Sequence, residues 1–456
     1  MGFGSVGLQS MLGGAGLLNP TSQALAETTV PLAPRPPMLP GKAKRVIHLF
    51  MNGGPSHVDS FDPKPELDRY AGQMLPTQNL RTERQTGAAF ASPFEFKHHG
   101  QSGIEVSDLF PHVARCIDDI AVIRSMKADV PNHEPSLMLM NCGEARLVRP
   151  SVGSWVTYGL GSESDELPAF VVMSTGSGIS GGAANWSSGF LPSVYTGTRF
   201  RNAGPPILNV DSPAGADDRL EAETLGLVSN LNRRTLARDG DPEIATRIAS
   251  YEMAHRLQTS APELMQLQDE SPETLALYGC NPSKASFARA CLIARRLVER
   301  GVRFITIYHE GWDAHTNVAG NVKNNCRATD QASAALVADL KQRGMLDETL
   351  VVWGGEFGRT PMVESSAVLG RSMGRDHHPN AFTMWLAGGG IKGGITHGKT
   401  DDLGFHIVEN KVHVHDLQAT ILHCLGLDHE RLTYRHQGRD FRLTDVHGQV
   451  VRDLLT

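Results

Sequence analysis

The stretch VRFITIYHEGWDAHTN, residues 302–317, decides how this chain folds. An apolar, β-branched run ends at Tyr308, and His309, Glu310, Asp313 and His315 follow directly. A short continuous run of this kind is a strand buried on both faces, as in parallel sheets. Open α/β sheets gather ligands at the carboxyl ends of their strands, so these side chains fall where such a sheet does its chemistry. The pattern recurs twice. LVVWGGEFGRTP (350–361) runs into a glycine pair and Glu356, and GRDHHPNAFTMWLAGG (374–389) places Asp376, His377 and His378 just before another apolar run. Imidazole with carboxylate suits Zn²⁺ or Mn²⁺, whereas carboxylate with water suits Mg²⁺ or Ca²⁺. Three such clusters beside strands predict a metal-dependent hydrolytic site.

Outward from this stretch the chain alternates. SFARACLIARRLVERG (286–301) has helical apolar spacing and closes on Gly301 before the 302–308 run, and TDQASAALVADLKQRG (329–344) repeats the scheme before 349–353. RVIHLFMNGG (45–54), IAVIRSM (120–126) and PAFVVMS (168–174) are further buried-strand runs. The fold class expected is α/β, a mainly parallel central sheet with helices on both faces. Residues 214–272 lack apolar runs and are charged and Leu/Ala-bearing, which predicts a peripheral helical region. STGSGISGGAANWSSG (174–189) is expected to be a loop at the rim of the site.

Composition excludes some functions. A net charge of −6, from 43 basic and 49 acidic residues, offers no basic surface for nucleic acid. Six scattered cysteines without a CxxC pair argue against a zinc ribbon or a disulfide framework, leaving buried thiols. Residues 2–26 carry no charge and end in Ala24-Leu25-Ala26, a small-residue cleavage pattern without the basic start of a signal peptide. A twin-arginine signal whose basic start lies upstream of Met1 is favoured over a flexible tail, and the glycines and polar residues make the segment too weak for a membrane span. PLAPRPPMLPG (31–41), with five prolines, reads as a linker. The expected organisation is therefore a signal-like segment and linker over 1–43, then one α/β domain over 44–456. Oligomeric state is not set by these features.

HLFMNGGPSHVDSFDPKP (48–65), GWDAHTN (311–317), GGEFGRTP (354–361), GRDHHP (374–379) and AGGGIKGG (387–394) resemble the DUF1501 family of exported bacterial proteins, which is similar to the alkaline phosphatase and sulfatase superfamily. The resemblance covers about residues 44–453. It implies an exported, metal-dependent hydrolase of phosphate or sulfate esters, with a small-molecule or glycan ester as substrate. Carried over position by position, it puts Asn52 where the first strand ends in a metal-binding acid. Asp313 and His315 match a later acid–histidine pair, Glu356 matches an Asp-His pair with Phe357 in place of the histidine, and His377, or failing that His378, matches the last metal histidine. In HEPSLMLMNCG (133–143), Pro135, Ser136 and Gly143 are in register with the nucleophile stretch, so His133 holds the nucleophile position.

A histidine there cannot form the usual covalent ester, but it serves as general acid/base, as metal ligand or as a phosphohistidine. Ser136 is the substitute nucleophile, one helical turn on. A metal-activated water would need neither. His57 and Asp59 fall just past the first strand and are counted with the metal-site residues. Arg359 and Arg375 are candidates to grip an anionic group. Plainer roles stand beside these: a strand-end turn for Asp313 and His315, an ion pair with Arg359 for Glu356, a cap for Asp376. The alternative function is a non-catalytic relative that keeps the fold and a metal while binding a glycan or a partner protein.

Overall fold

The computed structural model describes residues 31–75, 86–176, 178–207, 218–366 and 371–456. The signal-like segment through Ala26 lies outside the described residues. Among the described residues the central sheet has nine strands: β1 (Arg45–Met51), β2 (Ile120–Lys127), β3 (Phe170–Ser174), β4 (Thr198–Phe200), β5 (Phe304–His309), β6 (Thr349–Gly354), β7 (Phe382–Ala387), β8 (Ile395–His397) and β9 (Val412–His413). They lie in the order β8–β2–β7–β6–β1–β5–β3–β4, with β9 also pairing with β2. All pairings are parallel except those of β7, which runs antiparallel between β2 and β6.

Both faces of the sheet are covered, which is why its strands read as unbroken apolar runs. Ile47, Leu49 and Met51 of β1 and Ile305 and Ile307 of β5 pack into one apolar core, against α5 (Phe287–Glu299) and α6 (Val318–Gln342). Val46 and Phe50, with Phe304 and Tyr308, point into the other. There they meet α1 (His133–Cys142), α2 (Val152–Leu160) and α7 (Val414–Cys424). The fold is thus an α/β sandwich with a mostly parallel central sheet. The 214–272 region contains a long helical pair, α3 (Asp218–Asp239) and α4 (Pro242–Met265).

Two segments differ from expectation. Helix α6 starts at Val318, well before residue 329, because its opening turns bury only the narrow stripe Val318, Val322 and Cys326 among polar residues. That stripe is too thin to register as an apolar period. The proline-rich segment is not a free linker over its described part: Arg35 N–H donates to Leu160 O, and Leu39 N–H to Gly426 O, both at 2.9 Å.

Strand register fixes where chemistry can gather. Met51 pairs with His309 and Phe50 with Gly354, so β1, β5 and β6 end level with one another. The residues that follow them (Asn52, Glu310–His315, Gly355–Arg359) leave the sheet along one edge. Gly53 is what lets two of these exits touch: its φ is +118°, and a Cβ there would lie 2.3 Å from the backbone N of Asp313.

Candidate metal centre

Five chain segments meet at this edge. His133 is the first residue of α1, and Asp313 and His315 lie in the loop between β5 and α6. His377 sits on a short strand, His377–His378, paired antiparallel with Gly358–Arg359 so that Arg359 lies opposite His377. Glu356 precedes that pair, and Glu364 lies on the strand Met362–Ser366. Close packing sets the last approach, since a Cβ on Gly374 would overlap the His315 carbonyl.

Three imidazoles converge on one carboxylate oxygen. Asp313 Oδ1 is 2.9 Å from His315 Nε2, 3.2 Å from His377 Nε2 and 3.3 Å from His133 Nε2. The ligand atoms of these four residues all lie within 4.8 Å of one another. The far nitrogen of each ring is tied to an oxygen. His133 Nδ1 is 2.6 Å from Glu356 Oε1, His377 Nδ1 is 2.6 Å from the Pro131 carbonyl, and His315 Nδ1 bonds Glu364 Oε2. An Nδ1–H donated to a carbonyl or carboxylate fixes the tautomer and turns the Nε2 lone pair toward the common point, as in carboxylate–histidine–metal triads.

The ionisable groups of the cluster shift in different directions. Burial opposes a charge on His133, but the carboxylates of Asp313 and Glu356 on either side outweigh it and push its pKa up to about 9. His377 goes the other way, to about 3, through burial and then the Arg359 guanidinium. Burial works against the Asp313 charge as well, yet the imidazoles of His133, His315 and His377 around it, with Arg359 beside it, hold the carboxyl far below the usual range.

The donor set fits a divalent ion. His133 Nε2 is buried without a hydrogen bond of good geometry although it faces Asp313, a costly state for a polar atom unless something else engages it. Carboxylates also outnumber cationic side chains here. Around the imidazoles stand the carboxylates of Asp313, Glu356 and Glu364, with the Arg359 guanidinium bonded to Asp313. Three imidazoles with one carboxylate suit Zn²⁺ or Mn²⁺ better than Mg²⁺ or Ca²⁺, which favour oxygen.

The other candidate residues take different places. Glu356 is fully buried and outside the convergent group; it holds His133 and accepts from Gly53 N–H at 3.0 Å. Asn52 abuts the centre through its backbone, its carbonyl accepting from Trp312 N–H at 3.2 Å. His57 is buried away from the group, its Nε2 2.8 Å from the Gly404 carbonyl and its ring stacked on His378. Asp59 is bonded twice to Arg375, at 2.8 and 3.1 Å, and accepts from Ser56 Oγ. Ser136 donates its hydroxyl to the Val130 carbonyl at 2.5 Å and is 1% exposed, so it does not stand as a nucleophile.

Neither arginine is open to a substrate. Arg375 is fully buried on Asp59 and against the Phe90 ring. Arg359 donates to Gly54 O, Arg375 O, Gly53 O and, at 2.6 Å, Asp313 Oδ1, which makes it a positioning residue for the aspartate. Asp376 accepts from His377 N–H at 2.8 Å and forms a second buried group with His315 and Glu364. Sequence reasoning missed Glu364: one acid in MVESS gives no sign that it is buried against a histidine.

Glu364→Gln tests the outer oxygens. Removing such a partner typically costs about 10–100-fold in metal affinity, and competition with a chromogenic chelator reads it. Unchanged affinity would show that His315 is oriented by other means.

No curated protein matches the chain. Among solved structures, Ps i-CgsB in complex with a neocarrahexaose is 10% identical, covers 85% of this chain and 72% of its own, and superposes at a TM-score of 0.39. A sulfatase from Pseudoalteromonas sp. is 11% identical over 84% of this chain and 68% of its own, at 0.36. An alkaline phosphatase from an Antarctic bacterium is 12% identical over 78% and 95%, at 0.31. Likeness at this level says nothing of chemistry here, which rests on the chain's own residues. The family is plain from sequence: residues 43–455 match the DUF1501 family, described as a protein of unknown function, and the chain belongs to it.

Proposed function

We propose that His133, Asp313, His315 and His377 hold one divalent ion, zinc or manganese before magnesium or calcium, and that the chain is an exported hydrolase of phosphate or sulfate esters acting there. One observation carries this reading: three Nε2 atoms meet on Asp313 Oδ1 while each Nδ1 is anchored to an oxygen. When bound, a divalent ion supplies Lewis acidity for ester cleavage. The remaining tasks fall to side chains. Glu356, Glu364 and the Pro131 carbonyl hold the rings, and Arg359 holds Asp313. Phe357 lies against His133 and His377, ring centroids 5.0 and 4.6 Å away, and shields one side from water. The Asp313 side chain is 44% exposed, so substrate and water approach from its side.

With Ser136 bonded to Val130 O, attack falls to a water molecule. That same commitment favours a second reading, a non-catalytic relative that keeps the ion and binds a glycan or partner protein. Metal-replete protein offered aryl phosphate and aryl sulfate esters separates the two. Turnover that a chelator abolishes is expected; stoichiometric metal with no turnover on either ester selects the binding protein. No helix among the described residues is long and apolar enough to cross a membrane.

Removing the ion should also lower Tm. A ligand at a thousandfold excess over its Kd stabilises the folded state by about 4 kcal/mol, and this centre ties together loops far apart in sequence. Differential scanning calorimetry with and without chelator measures the change. An unaltered Tm would mean that the ligands do not hold an ion in the folded protein.

A further inference from the structure

Helices α3 and α4 pack as a hairpin, tied by the Arg233–Glu252 ion pair at 3.4 Å. On its outer side α3 exposes Leu220, Leu227 and Leu231, at 62, 61 and 52%. A single exposed leucine is ordinary. At 3.6 residues per turn, however, these three fall within about 40° around the axis, a stripe roughly 16 Å long. Apolar side chains aligned in this way mark a contact surface rather than scatter.

The charges beside the stripe say what covers it. The first residues of α3, DRLEAE (218–223), carry three acids and one base, whereas in RRTLARD (233–239) Arg233 turns to Glu252 of α4 and leaves Arg234 and Arg238 with one acid, Asp239. A second α3 laid antiparallel sets each acidic end against a basic end, and it brings Leu220 opposite the partner subunit's Leu231, with Leu227 near the axis. A parallel pair would set like charges together. We propose that this stripe is the seam of a two-fold homodimer of the chain, α3 against α3 in antiparallel register. An isologous contact of this kind is closed, so it stops at two copies. Its few leucines place it at the small, weak end of specific interfaces.

Sedimentation velocity on the full chain, from about 1 to 100 μM (the range where weak contacts titrate), tests it. A monomer–dimer equilibrium is expected, and high salt should shift it toward monomer, since exposed charges are screened. Leu227→Glu with Leu231→Glu should remain monomeric throughout, with unchanged circular dichroism and Tm, because both side chains are exposed. Arg234→Glu should weaken the dimer while leaving the leucines intact. A wild-type chain that stays monomeric at the highest concentration would overturn the proposal. So would a dimer that persists in the double variant. A Leu220→Cys chain mixed with a Leu231→Cys chain should form a disulfide-linked pair that neither forms alone. Cross-linking of Leu220→Cys chains to one another would instead show parallel packing and reject the antiparallel seam.

Discussion

Asp313→Ala is expected to leave the purified protein without bound metal and without turnover. Its Oδ1 is the point on which the Nε2 atoms of His133, His315 and His377 converge, at 2.9–3.3 Å. Removing it takes away the one carboxylate on which the three Nε2 atoms meet, and it deprives Arg359 of the carboxylate to which it donates. Asp313→Asn keeps the shape and separates the two effects: it should retain the fold, since the amide oxygen still accepts from Arg359, yet lose most of the metal. His315→Ala should match Asp313→Ala in both readouts. Elemental analysis of dialysed protein, with ester turnover beside it, decides the matter. Wild-type metal content in either alanine variant would remove these residues from the centre.

Arg375→Ala carries the largest expected loss of stability. Its guanidinium and the Asp59 carboxylate are both 0% exposed and bonded at 2.8 and 3.1 Å. Deleting one member of a fully buried pair strands the other charge and costs about 3–5 kcal/mol, whereas an arginine that grips substrate in solvent would be lost at small cost to folding. Urea denaturation of Arg375→Ala and Asp59→Ala reads the difference, and the two losses should not add in the double variant. A cost below about 1 kcal/mol, with a raised KM, would return Arg375 to the substrate side.

Much of the architecture is legible in the sequence because parallel strands buried on both faces leave unbroken apolar runs. β1, β2, β3, β5 and β6 fall on the runs at 45–54, 120–126, 168–174, 302–308 and 349–353. That β7 runs antiparallel is not legible, since FTMWLA is equally apolar either way round. The site divides along a similar line. Asp313 and His315 stand out because a strand's carboxyl end is a place a sequence can mark, whereas His377 precedes β7, whose amino end reaches the same edge because β7 runs antiparallel. Which side of a turn a residue then faces is decided by packing. His377 and His378 alternate on one short strand, so the first reaches Asp313 while the second is turned to the Phe405 carbonyl. His57 and Asp59 also follow β1, but a turn over His57–Asp59 carries them into the interior beside Gly404 and Arg375. His133, placed at the nucleophile position by the family resemblance, reaches the convergent group because α1 begins at the sheet edge, which is a tertiary placement.

The most direct test of the centre is the X-ray absorption spectrum of the zinc-loaded protein. A first shell of nitrogen and oxygen at about 2.0–2.1 Å, with the outer-shell scattering of three imidazoles and none of sulfur, is the predicted result. A shell of water oxygens without imidazole scattering, or failure to retain zinc at all, would contradict it.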